Sequence, residues 1–331
     1  MTNVAIFGAG RIGRIHAANL AALPGVKLKY VCDPMAAAAS EVARLHGATV
    51  STVDAVFSDD SVDVVAIASS TDTHSDLITR AAQTGKNIFC EKPVDLSVPR
   101  AEACAAAVKA AGVACMIGFQ RRFDPTFSEA RNRMDRGDIG NPEMLIITSR
   151  DPGAPPAAYL KASGGIFRDM LIHDFDVFRW ILCADGDEAE WLSATGSVLT
   201  DPAIAEVGDY DCTAVSIRTR KGRLCQINTI RRAAYGYDQR FEVLGSKGLL
   251  QCGNHTPSEV LTWNETGIHG DKPEHFFLQR YSAAYRLEIT HFFECLRSGA
   301  PFRTSIADGV AAQKLADAAT ESCKSGQPVR L

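Results

Sequence analysis

Neither charge predominates in this sequence. Its 35 Lys and Arg against 39 Asp and Glu leave a formal net charge of −4 over 331 residues. That balance argues against a nucleic-acid partner, and the pairs Arg121-Arg122 and Arg231-Arg232 are too short to change it. No apolar run approaches the roughly 20 residues that span a bilayer, so no membrane partner is expected. The opening MTNVAIFGAG has no basic start and only a short apolar run, so we expect no signal peptide. There are ten cysteines but no C-x-x-C pair, and Cys115 and Cys225 fall inside apolar segments. We read them as small core residues of a reduced, cytoplasmic protein. The sequons Asn254-His-Thr and Asn264-Glu-Thr are then chance matches. Internal repeats, low-complexity linkers and charge blocks are also missing. What is present is an ordinary globular balance, 46% apolar and 22% charged, on a chain long enough for two sizeable cores.

Two patterns divide that length. Residues 1–118 alternate strand and helix: NVAIFG, KLKYVCDP, VDVVAIASS, NIFCEKP and VACMIGF read as strands. Helical stretches such as RIGRIHAANLAALP, Met35–Leu45, HSDLITRAAQTG and VPRAEACAAAVKAAG lie between them. Such repeats predict an α/β domain with a parallel sheet and helices on both faces. Residues 119–331 change character. EMLIITSR, CTAVSIRT, GRLCQINTI, RFEVLGS and GLLQC suit an α+β domain with a large, mainly antiparallel sheet covered on one face. Helices around Phe127–Arg136, Asp169–Leu182 and Tyr285–Arg297 are expected to cover it, with a last helix over Ile306–Cys323 that could pack back on the first domain. PGAPPAAY (152–159) reads as an ordered loop, restricted by its prolines.

Gly8-Ala9-Gly10-Arg11-Ile12-Gly13 fits G-x-G-x-x-G after an apolar strand and at the start of a helix. Asp33 ends the next strand, 20 residues beyond Gly13. In that context the motif predicts a Rossmann-type dinucleotide site, with the helix N-terminus facing the pyrophosphate. Asp33 can accept hydrogen bonds from both ribose hydroxyls and would repel a 2′-phosphate. No arginine follows it closely, so NAD is expected over NADP. Ser69, Ser70, Thr71 and His74 follow the carboxyl end of VDVVAIA, the edge where such sheets bind ligands. His74 could equally be a helix N-terminal residue without a ligand.

Glu91-Lys92-Pro93 ends another strand at the same edge, and Pro93 could fix the turn through a cis bond. Lys92 could serve catalysis there or be a surface lysine. In SGGIFRDMLIHDFD, Asp169 and His173 stand four apart, on one face of an expected helix. A structural pair and a catalytic pair both fit, while Asp174 and Asp176 point elsewhere. No further histidine or cysteine cluster supports a metal, and none is expected.

These runs, in this order, resemble the large family of sugar and polyol oxidoreductases that includes glucose–fructose oxidoreductase and inositol dehydrogenase. The resemblance covers nearly the whole chain. GFQRRFDPTF, SRDPGAPPAAY, RRAAYGYDQRFEVLGSKG and FFLQRYSAAYRLEITHF are similar to its bacterial inositol 2-dehydrogenase branch. The resemblance implies a second domain that binds substrate and builds a homotetramer through its open sheet face, with substrate held between the domains. It implies that Lys92, Asp169 and His173 form the catalytic trio and that NAD is the cofactor. The implied reaction oxidises myo-inositol to its 2-keto product, scyllo-inosose. By similarity, Gln120, Arg121, Asp151 and Tyr237 contact substrate, with Tyr235 competing for the last role. Gln120 stands where that pattern favours an apolar residue. Rival readings are a dehydrogenase of another polyol or aldose, a non-enzymatic NAD-binding regulator and a methyltransferase.

Overall fold

The computed structural model describes the backbone of residues 1–331 and all side chains except those of residues 157, 158 and 161. Two compact units emerge, Met1–Phe123 with Ala284–Gln313, and Asp124–Ala283 with Lys314–Leu331.

The first unit is built on six strands: β1 (Thr2–Phe7), β2 (Val26–Cys32), β3 (Thr49–Val50), β4 (Val64–Ile67), β5 (Asn87–Glu91) and β6 (Cys115–Gly118). Their order is β3-β2-β1-β4-β5-β6 and every pairing is parallel. Val4–Phe7, Val64–Ile67, Ile88–Cys90 and Met116–Ile117 are buried without alternation, because helices on both faces exclude water. The order reverses between β1 and β4, the switch point where open parallel sheets bind ligands.

In the second unit, β7 (Pro142–Arg150), β8 (Ala189–Ser197), β9 (Cys212–Thr219), β10 (Leu224–Ile230), β11 (Asp238–Gly245), β12 (Gly248–Cys252) and β15 (Val329–Arg330) form one sheet. Its order is β12-β11-β7-β10-β9-β8-β15, antiparallel except where β10 meets β7. A separate hairpin joins β13 (Leu261–Asn264) to β14 (Gly267–Gly270). Burial alternates on the main sheet. Leu145, Ile147, Val215, Ile217, Cys225, Ile227, Phe241 and Val243 face a core, and the helix Ile172–Leu182 packs against β7. On the other face Leu249, Leu244, Met144 and Leu224 stand side by side across four strands, each 37 to 46% exposed.

The five expected strands of this unit are β7 and β9 to β12. β8 escaped notice because AEWLSATGS is mostly small and polar, with only Leu192 and Ala194 buried. Two expectations need correction. The stretch Asp169–Leu182 is not one helix. A short helix, Ile166–Asp169, ends before Ile172–Leu182 begins, and Leu171 N donates five residues back to Ile166 O at 3.0 Å. The expected helix Tyr285–Arg297, observed as Ser282–Ser298, does not cover the second sheet. Its Tyr285 and Phe292 rings pack on His16 and Phe89 of the first unit. The loop at 152 gives way at 157 to a helix, Ala157–Ser163.

Candidate functional site

Because all six strands run parallel, the segments after them gather at one sheet edge. Gly8 follows β1 with φ +102°, and a Cβ on it would lie 2.4 Å from Ala68 O. A Cβ on Gly13 would lie 2.1 Å from Gly8 O. These two glycines let backbone meet backbone. Gly10 differs: nothing lies within 4 Å of its Cβ position, and it starts the helix Arg11–Ala22 without a side-chain cap. An open cradle at an uncapped helix N-terminus is what a pyrophosphate requires. Arg11 is exposed and Ile12 half-buried on the first turn. Asp33, after β2, reaches the same turn: Ala9 N donates to its Oδ2 at 2.6 Å and Met35 N to its Oδ1 at 2.8 Å. These residues fit a dinucleotide.

After β4, Ser69 Oγ and Thr73 Oγ1 share a 2.6 Å bond, and Thr73 Oγ1 donates to Ser70 O. Thr71 opens the short turn into the helix His74–Gln83. The buried His74 ring spans two loops, with Nδ1 2.7 Å from Pro93 O and Nε2 3.2 Å from Ser69 O. Burial lowers its pKa, against the raising effect of those carbonyls. His74 thus ties the segment after β4 to the one after β5.

Glu91 is the last residue of β5, Lys92 is half-buried, and the Lys92–Pro93 peptide is cis. The Glu91 carboxylate turns inward, 2.6 Å from His16 Nε2. Glu288 joins them, and the ligand atoms of all three lie within 4.8 Å of one another. After β6, Gln120 and Arg121 are buried in the turn Gln120–Phe123. Gln120 Oε1 has no hydrogen-bond partner among the described groups.

The second unit assembles its own set. Asp151 follows β7; its N–H donates to Ile230 O and its carbonyl accepts from Ala233 N. Register places Arg150 opposite Ile230 and Asp238, so Asp151, Arg231 and Tyr237 converge at one end of the sheet. Tyr237 is buried edge-on to Phe276 and Tyr281. Tyr235 instead donates to Asp238 at 2.6 Å and accepts from Arg150 at 3.0 Å. It lines a cavity of about 470 Å³ with Arg150, Asn228 and Arg232. Asp174 and Asp176 are fully buried.

The glycine pair in SGGIFRDMLIHDFD has a physical cause. Gly164 and Gly165 both take positive φ, +83° and +84°, where a side chain is strained. Asp209 Oδ1 accepts from Ile166 N at 2.9 Å, at the start of the short helix. That helix delivers Asp169, whose Oδ1 accepts from Tyr159 Oη at 2.8 Å. Arg231, 1% exposed, places Nη2 3.6 Å from Asp169 Oδ2 and 3.9 Å from Asp209 Oδ2. His173 is the second residue of the next helix and half-buried.

Sequence reasoning missed Tyr159, Asp209 and Arg231 around Asp169, and His16 and Glu288 around Glu91. The available signal was chemical: an imidazole in RIGRIHAANL and an acid in LEITHFF both occupy apolar helix faces.

Residues 2–119 match the oxidoreductase family described as the NAD-binding Rossmann fold, and residues 131–331 match its C-terminal alpha/beta domain. The chain is 46% identical over 317 residues to the inositol 2-dehydrogenase of Rhizobium meliloti, covering 96% of this chain and 95% of that protein. It is 40% identical to the scyllo-inositol 2-dehydrogenase (NAD(+)) of Bacillus subtilis, covering 99% and 95%. Among solved structures, a myo-inositol dehydrogenase from Corynebacterium glutamicum superposes with TM-score 0.95 at 42% identity, covering 100% of this chain and 99% of that one. With both domain matches spanning nearly its whole length, the chain belongs to this family of NAD-binding oxidoreductases.

Proposed function

We propose that the protein is an NAD-dependent inositol 2-dehydrogenase that oxidises the 2-hydroxyl of myo-inositol to the ketone, giving scyllo-inosose. The observation that carries this is end-to-end similarity to inositol dehydrogenases, in a chain whose glycine turn and Asp33 fit the dinucleotide. NAD, when bound, supplies the hydride acceptor. The protein's residues supply proton handling and orientation. His173 takes the hydroxyl proton, since a neutral imidazole is a competent base near neutral pH. Asp169, at the end of the short helix that precedes it, supplies a negative charge that favours the imidazolium. Lys92 donates to the same substrate oxygen and stabilises its developing charge. Gln120, Arg121, Asp151 and Tyr237 satisfy the remaining ring hydroxyls, each of which loses water on binding.

A second reading, scyllo-inositol as the preferred isomer, is favoured by the Bacillus subtilis relative and by the free acceptor of Gln120. NADH formation across inositol isomers and common sugars decides. Activity on glucose with none on any inositol would overturn the proposal.

The protein acts in the cytoplasm, a placement supported by its ten free thiols. No helix among the described residues is long and apolar enough to cross a membrane. It assembles as a homotetramer through the open face of the second sheet. The exposed row of Leu249, Leu244, Met144 and Leu224 supports that surface.

A further inference from the structure

Three titratable side chains meet inside the first unit. His16 comes from the helix Arg11–Ala22, Glu91 from the end of β5 and Glu288 from the helix Ser282–Ser298. His16 and Glu288 are completely buried, and Glu91 is nearly so. The walls are aromatic: Phe89 lies 4.9 Å from the His16 ring, Tyr285 5.8 Å, and Phe292 packs on Phe89. Gly118 closes the space, since a Cβ there would come within 3.2 Å of the Glu91 carboxyl.

Two ionised carboxylates here would bury two negative charges among aromatic rings, which is costly. A proton on Glu288, neither of whose buried oxygens has a hydrogen-bond partner among the described residues, removes one of them. We propose that Glu288 is protonated beside the His16–Glu91 pair and that this buried cluster fixes the turn bearing Lys92, which makes His16 and Glu288 positioning residues for the reaction. The proposal rests on the reading of Lys92 given above.

Glu288 is the proton donor of the set. A protonated carboxyl can donate where a carboxylate can only accept; neither Glu288 oxygen has a direct hydrogen-bond partner among the described residues, and Glu91 lies within 4.8 Å, a gap that one water can bridge. The groups facing Glu288 are His16 from the first helix and Glu91 from β5, with Tyr285 on its own helix behind His16. Burial, reinforced by the charge of Glu91, pushes the Glu288 carboxyl well above the usual range. A folded pKa above the unfolded value gives a stability that is complete below the unfolded pKa and declines as pH rises toward the folded one. Glutamine does not titrate.

The test compares wild-type enzyme with Glu288→Gln and Glu288→Ala. In chemical denaturation across pH, Glu288→Gln should gain on wild type by about tenfold in the folding constant per pH unit above roughly pH 5. In steady-state kinetics Glu288→Gln should keep kcat within about twofold and lose less activity at alkaline pH than wild type. Glu288→Ala should lose about tenfold or more in kcat with KM for NAD unchanged. Equal kcat and pH profile in all three proteins overturns the proposal, as does a glutamine variant as damaged as the alanine one. A stoichiometric transition metal in the purified enzyme, removable by chelator, also overturns it. Full turnover by Lys92→Ala would sink the reading of Lys92 instead. That failure is distinguishable, because the stability comparison involves no substrate.

Discussion

Arg231 lies buried beside Asp169, its Nη2 3.6 Å from the carboxylate, with Asp209 on its other side. One guanidinium therefore stands between two acids: Asp169 of the candidate site and Asp209, which accepts from the amide that opens the Asp169 helix. Arg231→Met should lower stability by about 3 kcal/mol, because both acids lose their cation. It should also lower kcat by roughly tenfold through a displaced Asp169. Arg231→Lys should recover part of the stability and little of the kcat, since an ammonium lacks the planar fork. Denaturant melts beside steady-state rates check both, and an unchanged kcat in Arg231→Met would detach it from the site.

Removing the proposed base should leave binding intact. His173→Ala is expected to cut turnover on the order of 100-fold while NAD affinity, measured by calorimetry, stays unchanged. Lys92→Ala should slow the single-turnover hydride step as well. Rates equal to wild type in either variant would remove that residue from the mechanism.

The glycines of the first turn should separate by role. Gly10→Ala meets open space and an ordinary φ of −72°, so it should fold with an unchanged melting temperature. Its methyl group intrudes on the cradle, so the Kd for NAD should rise about tenfold or more, some 1.4 kcal/mol. Gly13→Ala pushes a methyl into Gly8 O and should destabilise the fold itself. Thermal melts with and without NAD distinguish the two, and a Gly10→Ala variant with wild-type affinity would contradict the cradle.

The open face of the second sheet gives a solution test. Leu244→Glu, alone or with Leu249→Glu, places charge in the exposed apolar row and should shift light-scattering mass to a smaller species. Circular dichroism should stay native, because both side chains already face outward. A tetramer that survives the double substitution would move the association surface elsewhere.

In the first sheet β3, two exposed residues at the sheet edge, was not legible. The other five strands were, because they are largely apolar runs separated by helical periods, a pattern local to each segment. The glycine turn and Asp33 were legible for the same reason. The surroundings of Asp169 were not, because Tyr159, Asp209 and Arg231 reach it from three separate parts of the chain. No spacing rule joins residue 169 to residue 231; only strand register does. The break between Ile166–Asp169 and Ile172–Leu182 was hidden as well, since IFRDMLIHDFD has helical periodicity throughout and contains neither proline nor glycine. The helix Ser282–Ser298 was assigned to the wrong core for a related reason. An amphipathic pattern shows that a face is buried and leaves open what buries it.

The bonds to Asp33 reach beyond affinity. Two backbone amides, from Ala9 and Met35, each grip one oxygen of that carboxylate, so its torsions are settled by the main chain. An acid held this way cannot swing aside to relieve repulsion from an extra phosphate on the ribose. We predict that any preference between the two pyridine nucleotides draws on this stiffness as well as on charge, so that loosening the grip blurs the choice without altering the charge.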